Sequence, residues 1–114
     1  MRLRALATTA ACGLAVLFAA APSASAAEGE FSYVHNDPSG TPHLGFLADP
    51  PSGVCLTLPE VADPWTTPAH SPRNHTDSTA TVFTGPDCEG DYFSLRPHGG
   101  HASERLKLRS VMFS

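Results

Sequence analysis

Eleven prolines and nine glycines are spread along this 114-residue chain, and they limit its secondary structure more than any other feature. Most of them fall after residue 26, where they leave no apolar 3.6-residue pattern longer than about one helical turn. Proline also lacks the backbone N–H that a helix interior requires. The sequence therefore predicts an all-β fold with effectively no helix.

Six short runs have strand character and are bounded by turn residues such as Pro, Gly, Asn and Asp. We predict strands at 31–34, 45–47, 54–58, 79–84, 92–95 and 107–113. Residues 59–73, with four prolines and Trp65, form the one long stretch that we predict to be irregular. Short strands at this spacing favour an antiparallel sandwich or a small barrel.

Residues 1–26 have the organisation of a secretory signal peptide. Arg2 and Arg4 give a positive start, residues 5–21 are uncharged and mostly apolar, and Ala24-Ser25-Ala26 supplies small residues for a signal peptidase. The run falls short of the roughly 20 strongly apolar residues that span a bilayer. A lipid anchor at Cys12 is disfavoured because most of the hydrophobic run follows it. We predict a secreted domain of residues 27–114 with no stable membrane anchor.

The charge of the predicted mature chain argues against nucleic acid as a partner. Loss of Arg2 and Arg4 leaves five Lys and Arg against eleven Asp and Glu, so a phosphate-rich partner would be repelled. Arg105, Lys107 and Arg109 alternate in a way that is typical of one face of a strand. A chain of this length supports one core, and we expect a monomer.

Cysteine usage predicts one disulfide. Cys12 would leave with the signal peptide, so Cys55 and Cys88 would remain in a compartment where thiols oxidise. The alternatives, reactive thiols or half of a thiolate metal site, lack support because neither cysteine has a Cys-x-x-Cys partner or a histidine at zinc-finger spacing. A bridge closing a loop of about 34 residues stabilises by about 3.5 to 4 kcal/mol on the chain-entropy model.

The two halves of residues 27–114 are similar to each other. Tyr33 is followed by Gly40 at seven residues, and Phe83 by Gly90 at the same distance, with Ser78 and Ser110 near a later strand of each half. An aromatic residue, a six-residue spacer, a glycine and a serine resemble the Greek-key motif of the βγ-crystallin superfamily. The resemblance is good over residues 79–114 and looser over 31–78. It implies a βγ-crystallin-like sandwich of two Greek-key units, and Cys55 and Cys88 would join the two.

The resemblance to small secreted bacterial βγ-crystallin-like proteins also suggests functions. This superfamily includes secreted metalloproteinase inhibitors and killer-toxin-like proteins, so an extracellular protease is one conceivable partner. No reactive-site motif can be carried over to this sequence. Catalysis is not expected, because no Gly-x-Ser-x-Gly, His-Glu-x-x-His or activated cysteine is present. We predict a secreted, non-enzymatic binding or structural module, with a protease inhibitor or a killer-toxin-like protein as the alternatives.

No cofactor is expected apart from calcium, which the resemblance brings into consideration. Many microbial βγ-crystallins bind calcium through a stretch to which residues 74–79 partly correspond, and Asn74, Asp77 and Ser78 are the candidate ligands. His75 stands where the pattern has an oxygen donor, and residues 105–110 of the second half carry cations. The alternative is that the three residues form a hydrogen-bonded turn. The histidines of 98–101 and the acidic residues of 87–91 are interpreted as surface groups.

Trp65 is the most informative residue of the irregular stretch. It lies between Pro64 and Pro68, which restrict the loop before any partner arrives. A stiff loop that presents an aromatic side chain loses little entropy on binding, and this favours a contact surface. The alternative is that Trp65 folds inward and covers the core of a small sandwich.

Overall fold

A computed structural model describes residues 25–114, and in this range the protein consists of two antiparallel β-sheets. The predicted signal peptide lies outside the described residues except for Ser25 and Ala26. The prediction of an all-β fold is confirmed: the helical turns of the described chain are two three-residue 3-10 turns, Pro59–Val61 and Pro86–Cys88. None of the helices within residues 25–114 has the length and apolar character that crossing a bilayer requires.

Nine strands follow one another within residues 25–114. Their bounds are β1 Gly29–Asn36, β2 Pro42–Ala48, β3 Cys55–Thr57, β4 Ala69–Thr76, β5 Ala80–Phe83, β6 Tyr92–Leu95, β7 Gly100–His101, β8 Lys107–Leu108 and β9 Ser110–Phe113. The first sheet has the order β2-β1-β4-β7, and β8 also pairs with β4. The second sheet has the order β3-β9-β5-β6. Each half of the chain therefore contributes strands to the sheet of the other half.

The core lies between the two sheets and follows the two-residue period of the strands. Phe31 and Tyr33 point inward from β1, Val82 from β5, and Val111 and Phe113 from β9, and all five are buried. Phe31 and Phe113 meet across the sheets with their rings edge to face, 5.4 Å between centroids. Aromatic pairs favour this arrangement, so the pair joins the sheets by more than buried area alone.

Gly45 on β2 leaves the space that the Tyr33 ring occupies. The two residues are paired across β1 and β2, and a Cβ atom at position 45 would overlap the Tyr33 ring. The Tyr33 ring can therefore pack closely against β2 at Gly45, and its hydroxyl group reaches Glu60.

Strand β4 begins inside the stretch 59–73 that we predicted to be irregular. That prediction is therefore wrong for residues 69–73, which are part of the strand. Its sequence, AHSPRNHT, lacks the alternation of a typical strand and places Pro72 in the middle of a sheet. A β-bulge accommodates the proline: Ser32 pairs with Arg73 and Val34 with His70, so Ser71 and Pro72 together face Tyr33. Bulges are one of the few places where a sheet tolerates proline.

The predicted strand at 107–113 is divided at Arg109. Its first part, β8, pairs with β4 of the first sheet, and its second part, β9, pairs with β3 and β5 of the second. The chain thus passes from one sheet to the other at Arg109.

The predicted disulfide between Cys55 and Cys88 is present, with 5.9 Å between the Cα atoms. Cys55 opens β3, and Cys88 ends the 3-10 turn that follows β5. The bridge therefore joins the two halves of the chain, as the sequence predicted.

Candidate functional site

The loop at residues 62–68 presents Trp65 to solvent. The Trp65 side chain is 93% exposed, so the alternative in which it covers the core is wrong. Both ends of the loop are fixed, because Val61 and Ala69 are buried in the core. Within the loop, the Asp63 carboxylate accepts a hydrogen bond from the Trp65 N–H (2.9 Å), and the Asp63 carbonyl accepts from the Thr66 N–H (3.0 Å).

The guanidinium group of Arg109 fixes the same loop through hydrogen bonds to backbone carbonyls. Nη1 donates to the carbonyls of Val61 (3.0 Å) and Asp63 (2.9 Å), and Nη2 to those of Pro64 (3.1 Å) and Thr66 (2.6 Å). Nη1 also lies 3.2 Å from the Thr66 hydroxyl oxygen. A planar, permanently charged fork of donors suits such a set of carbonyls. Trp65 is therefore presented by a pre-ordered loop.

An open groove of about 800 Å³ lies beside Trp65. One wall is formed by Trp65 and the hydroxyl-bearing residues Thr66 and Thr67. The other wall is the end of β1 and the turn after it, at residues 35–38 and Gly40, and Glu60, His70 and Lys107 complete the lining. We call this surface the Trp65 groove.

Glu60 is oriented by a hydrogen bond from the buried side chain of Tyr33. The Tyr33 hydroxyl group donates to Glu60 Oε1 at 2.7 Å, and Tyr33 itself is buried. Burial, followed by the hydrogen bond to Glu60 and its charge, raises the pKa of Tyr33 well above its ordinary value. The phenol therefore stays protonated and keeps the carboxylate in place at the groove.

His70 links β4 to the opposite wall. Its Nε2 lies 3.1 Å from Asn36 Oδ1, and its Nδ1 lies 2.8 Å from the Ser71 hydroxyl oxygen. Partial burial, and then the charge of Lys107, lower the pKa of His70, while Glu104 acts in the opposite direction. In the neutral ring, this network assigns the proton to Nε2, which donates to the Asn36 amide oxygen, while Nδ1 accepts from Ser71.

Asp37 forms the turn at the rim of the groove. Its Oδ1 accepts hydrogen bonds from the Ser39 hydroxyl group (2.6 Å) and from the N–H groups of Ser39 and Thr41 (both 2.9 Å). Its Oδ2 lies 3.0 Å from His43 Nε2. The hydrogen bonds from Ser39, then His43 and Thr41, hold the pKa of Asp37 far below its usual range. The rim therefore keeps a carboxylate at any ordinary pH.

The calcium candidates lie at the other end of β4, where they are hydrogen-bonded to the protein. Asn74 is fully buried, and its Nδ2 donates to the carbonyls of Ser78 (2.8 Å), Arg96 (3.1 Å) and Leu95 (3.2 Å). The Asp77 carboxylate accepts from the Glu28 N–H at 2.8 Å, the main cause of its lowered pKa. Within residues 25–114, no group of three or more His, Cys, Asp and Glu side chains is arranged to hold a metal ion. This geometry fits the hydrogen-bonded turn, and calcium binding stays a prediction.

Of the residues singled out in the sequence, Pro64, Trp65 and Pro68 lie in or beside the loop of the groove, with Pro68 half-buried where the loop joins β4. Sequence reasoning missed Arg109 as the brace of this loop. The alternation at residues 105–109 indicated a strand face, and nothing local shows that the chain changes sheets there.

Comparison of the chain with protein-family models, with curated proteins and with solved structures found no match.

Proposed function

We propose that this protein is a secreted, non-enzymatic binding module of βγ-crystallin type whose contact surface is the Trp65 groove. The observation that carries the proposal is the exposed Trp65 on a loop that Arg109 fixes with four hydrogen bonds to backbone carbonyls. An indole that stays exposed to water does not contribute the stability that its burial would give. A loop that is already ordered loses little entropy when it binds a partner. Both features are expected of a surface that contacts a ligand.

The strand order supports the βγ-crystallin part of the proposal. A Greek key places its fourth strand beside its first, in the order 4-1-2. The first sheet has this order in β4-β1-β2, and in the second sheet the last strand of the second half lies beside the first strand of that half, in β9-β5-β6. The remaining strand of the first half, β3, pairs in the second sheet, and β7 and β8 of the second half pair in the first. This reciprocal exchange is what two packed Greek-key units would give.

Secretion is supported by the disulfide as well as by the predicted signal peptide. A bridge between Cys55 and Cys88 persists in oxidising compartments, where exported proteins reside. The bridge joins the two halves of a small domain, for which such a constraint matters most.

The proposed contact surface is tested by comparing Trp65→Ala with Tyr92→Ala in mature protein immobilised on a resin. Tyr92 is also exposed, at 71%, but lies on β6 outside the groove. We expect Trp65→Ala to abolish capture of the natural partner from culture fluid, while both variants melt close to wild type. Equal capture by Trp65→Ala and wild type would remove the proposal, and a collapse of stability in Trp65→Ala would show a structural role.

A protease inhibitor is the second candidate function, because a loop that binds a protease has to be exposed and already ordered. The loop of Trp65 is anchored at both ends by buried residues and is hydrogen-bonded to Arg109. The mature protein is incubated in excess with a thermolysin-like metalloproteinase and a peptide substrate. Inhibition that Trp65→Ala weakens would support this function, and undiminished proteolysis would exclude it for that enzyme class.

Calcium as a stabilising ligand is tested separately. A ligand that binds only the folded state raises the melting temperature. Millimolar calcium should therefore raise the melting temperature of the wild-type protein more than that of Asp77→Asn if the site at residues 74–78 exists. An unchanged melting temperature of the wild-type protein in millimolar calcium would show that no calcium site exists there.

A further inference from the structure

We propose that the Trp65 groove binds a neutral carbohydrate chain, an inference that rests on the proposed function and names the class of its ligand. A pyranose ring has an apolar face of C–H groups and a rim of hydroxyl groups, each of which donates and accepts hydrogen bonds. A complementary site needs one flat apolar surface next to a mixed set of polar groups without a strong net charge. The Trp65 groove has these properties.

The flat apolar surface is the indole of Trp65. Among residues 25–114, Trp65 is the only Phe, Tyr or Trp side chain that lines the groove. Its side chain is 93% exposed and its loop is fixed by Arg109, so the ring is ready to receive a ligand face. A quaternary ammonium ligand would favour a cage of several aromatic rings, and a single ring offers one platform.

The polar groups of the groove are mixed in kind and held in place. Glu60 lines the groove and accepts from Tyr33 through Oε1, so its second carboxylate oxygen can accept from a ligand. Asn36 is fixed between His70 and the Gly40 carbonyl, the latter 3.1 Å from its Nδ2. Thr67 adds a hydroxyl group to the lining, while the Thr66 hydroxyl group donates to the Asp63 carbonyl at 2.6 Å and thus belongs to the ordered loop. Donors and acceptors of this kind, already ordered, are what the hydroxyl rim of a sugar requires.

Charge and size favour a neutral sugar over the main competing ligands. The groove has two carboxylates, Asp37 and Glu60, and one lysine, Lys107, so a phosphate or sulfate group would find no basic cluster. A protein interface typically buries several apolar side chains together, whereas the apolar side chains of the groove lining are those of Trp65 and Pro38. The volume of about 800 Å³ falls in the range of small-molecule sites and leaves room for more than one sugar ring.

The experiment uses Trp65 as its own reporter, because it is the single tryptophan of the chain. Mature protein is titrated with cellohexaose, chitohexaose and laminarihexaose, and with polygalacturonate as the anionic control. We expect at least one neutral oligosaccharide to give a saturable blue shift of the emission as the indole leaves water, and polygalacturonate to give none.

Variants locate the binding. Retention on the insoluble polymer of the responding sugar should be about tenfold weaker for Trp65→Ala, the factor expected for one stacking contact. It should be unchanged for Tyr92→Ala, whose exposed ring lies outside the groove. Trp65→Phe, which keeps a smaller ring, should fall between them.

The outcomes separate this inference from the proposed function. No emission response to any neutral oligosaccharide overturns the inference, and if Trp65→Ala then still loses capture of a protein partner, the binding module stands with a different ligand. Oligosaccharide binding that persists in Trp65→Ala overturns both. A response to polygalacturonate as strong as that to the neutral sugars also overturns the inference.

Discussion

At the scale of single residues, Arg109 and His70 connect the framework of this protein with its groove. Arg109 lies where the chain passes from β8 to β9, so its backbone belongs to the sheets while its side chain orders the loop of Trp65. His70 begins the bulged part of β4 and reaches Asn36 at the end of β1. Two side chains thereby position both walls of the groove.

Arg109→Ala should lower the free energy of unfolding by about 1 to 3 kcal/mol, because the backbone carbonyls of the loop would lose their charged hydrogen-bond donor. One of these carbonyls belongs to the buried residue Val61. The free energy of unfolding is measured by urea titration, and the fluorescence anisotropy of Trp65 should fall as its loop loosens. Arg105→Ala is the matched control, since Arg105 is exposed and lies outside the loop. Equal effects of the two substitutions would contradict the bracing role.

Stability should fall as the pH decreases from about 7 to 5, in part because of His70. The pKa of His70 is lowered in the folded protein, whereas an unfolded histidine takes up a proton near pH 6.5. Between these values the unfolded state binds more protons, so acid favours unfolding. The lowered pKa values of Asp37 and Asp77 act in a separate window, below about pH 4.

The measurement is the urea midpoint at a series of pH values for wild type, His70→Gln and His75→Gln. His75 lies on the same strand but is exposed. His70→Gln should flatten the decline between pH 7 and 5, and His75→Gln should leave it in place. A decline of the same size in His70→Gln would show that another group is responsible.

At the scale of elements, strands with local signals were predictable and strands defined by distant partners were not. The runs at 92–95 and 79–84 match β6 and β5 because their apolar and β-branched residues mark them directly. Strand β4 lies between β1 and β7, and its Pro72 is tolerated through a bulge that only the pairing with β1 creates. The prolines that flank Trp65 indicated a contact loop, but its brace, Arg109, lies more than forty residues away in sequence.

The disulfide should contribute about 3.5 to 4 kcal/mol to the free energy of unfolding, as the closed loop between Cys55 and Cys88 implies on the chain-entropy model. The double variant Cys55→Ser, Cys88→Ser is compared with wild type by urea titration under non-reducing conditions. Cys12→Ser is the control, because this position is predicted to be absent from the mature protein. A loss of less than about 1 kcal/mol would show that the bridge mainly serves another purpose.

At the scale of the whole molecule, the start of the predicted mature chain is part of the fold. Ala27 is fully buried and its N–H donates to the Pro50 carbonyl at 2.8 Å. Ala26 forms an isolated bridge with Pro51, and the Ser52 N–H donates to the Ser25 carbonyl at 2.9 Å. The predicted cleavage site therefore lies in a segment that is paired once the domain has folded.

We expect protein recovered from the culture fluid of a secreting host to begin at Ala27, with cleavage preceding folding because the paired segment is closed to a peptidase afterwards. Intact-mass measurement and N-terminal sequencing identify the first residue. Ala26→Leu, which removes a small residue from the predicted site, should shift or prevent processing. Recovery of the full-length chain from the fluid, or a start well inside β1, would contradict the predicted leader.

The reciprocal exchange of β3 against β7 and β8 has a consequence for how the molecule can be assembled. Neither half contains a complete sheet, because each depends on a strand that the other supplies. If the Cys55–Cys88 bridge is removed by substitution with serine, a chain cleaved between Asp77 and Thr79, in the short connection from β4 to β5, should thus behave as two complementary peptides that acquire order only on mixing. If the fragments reassemble in this way, each could be fused to one of two other proteins, and folding of the domain would then report that those two proteins associate.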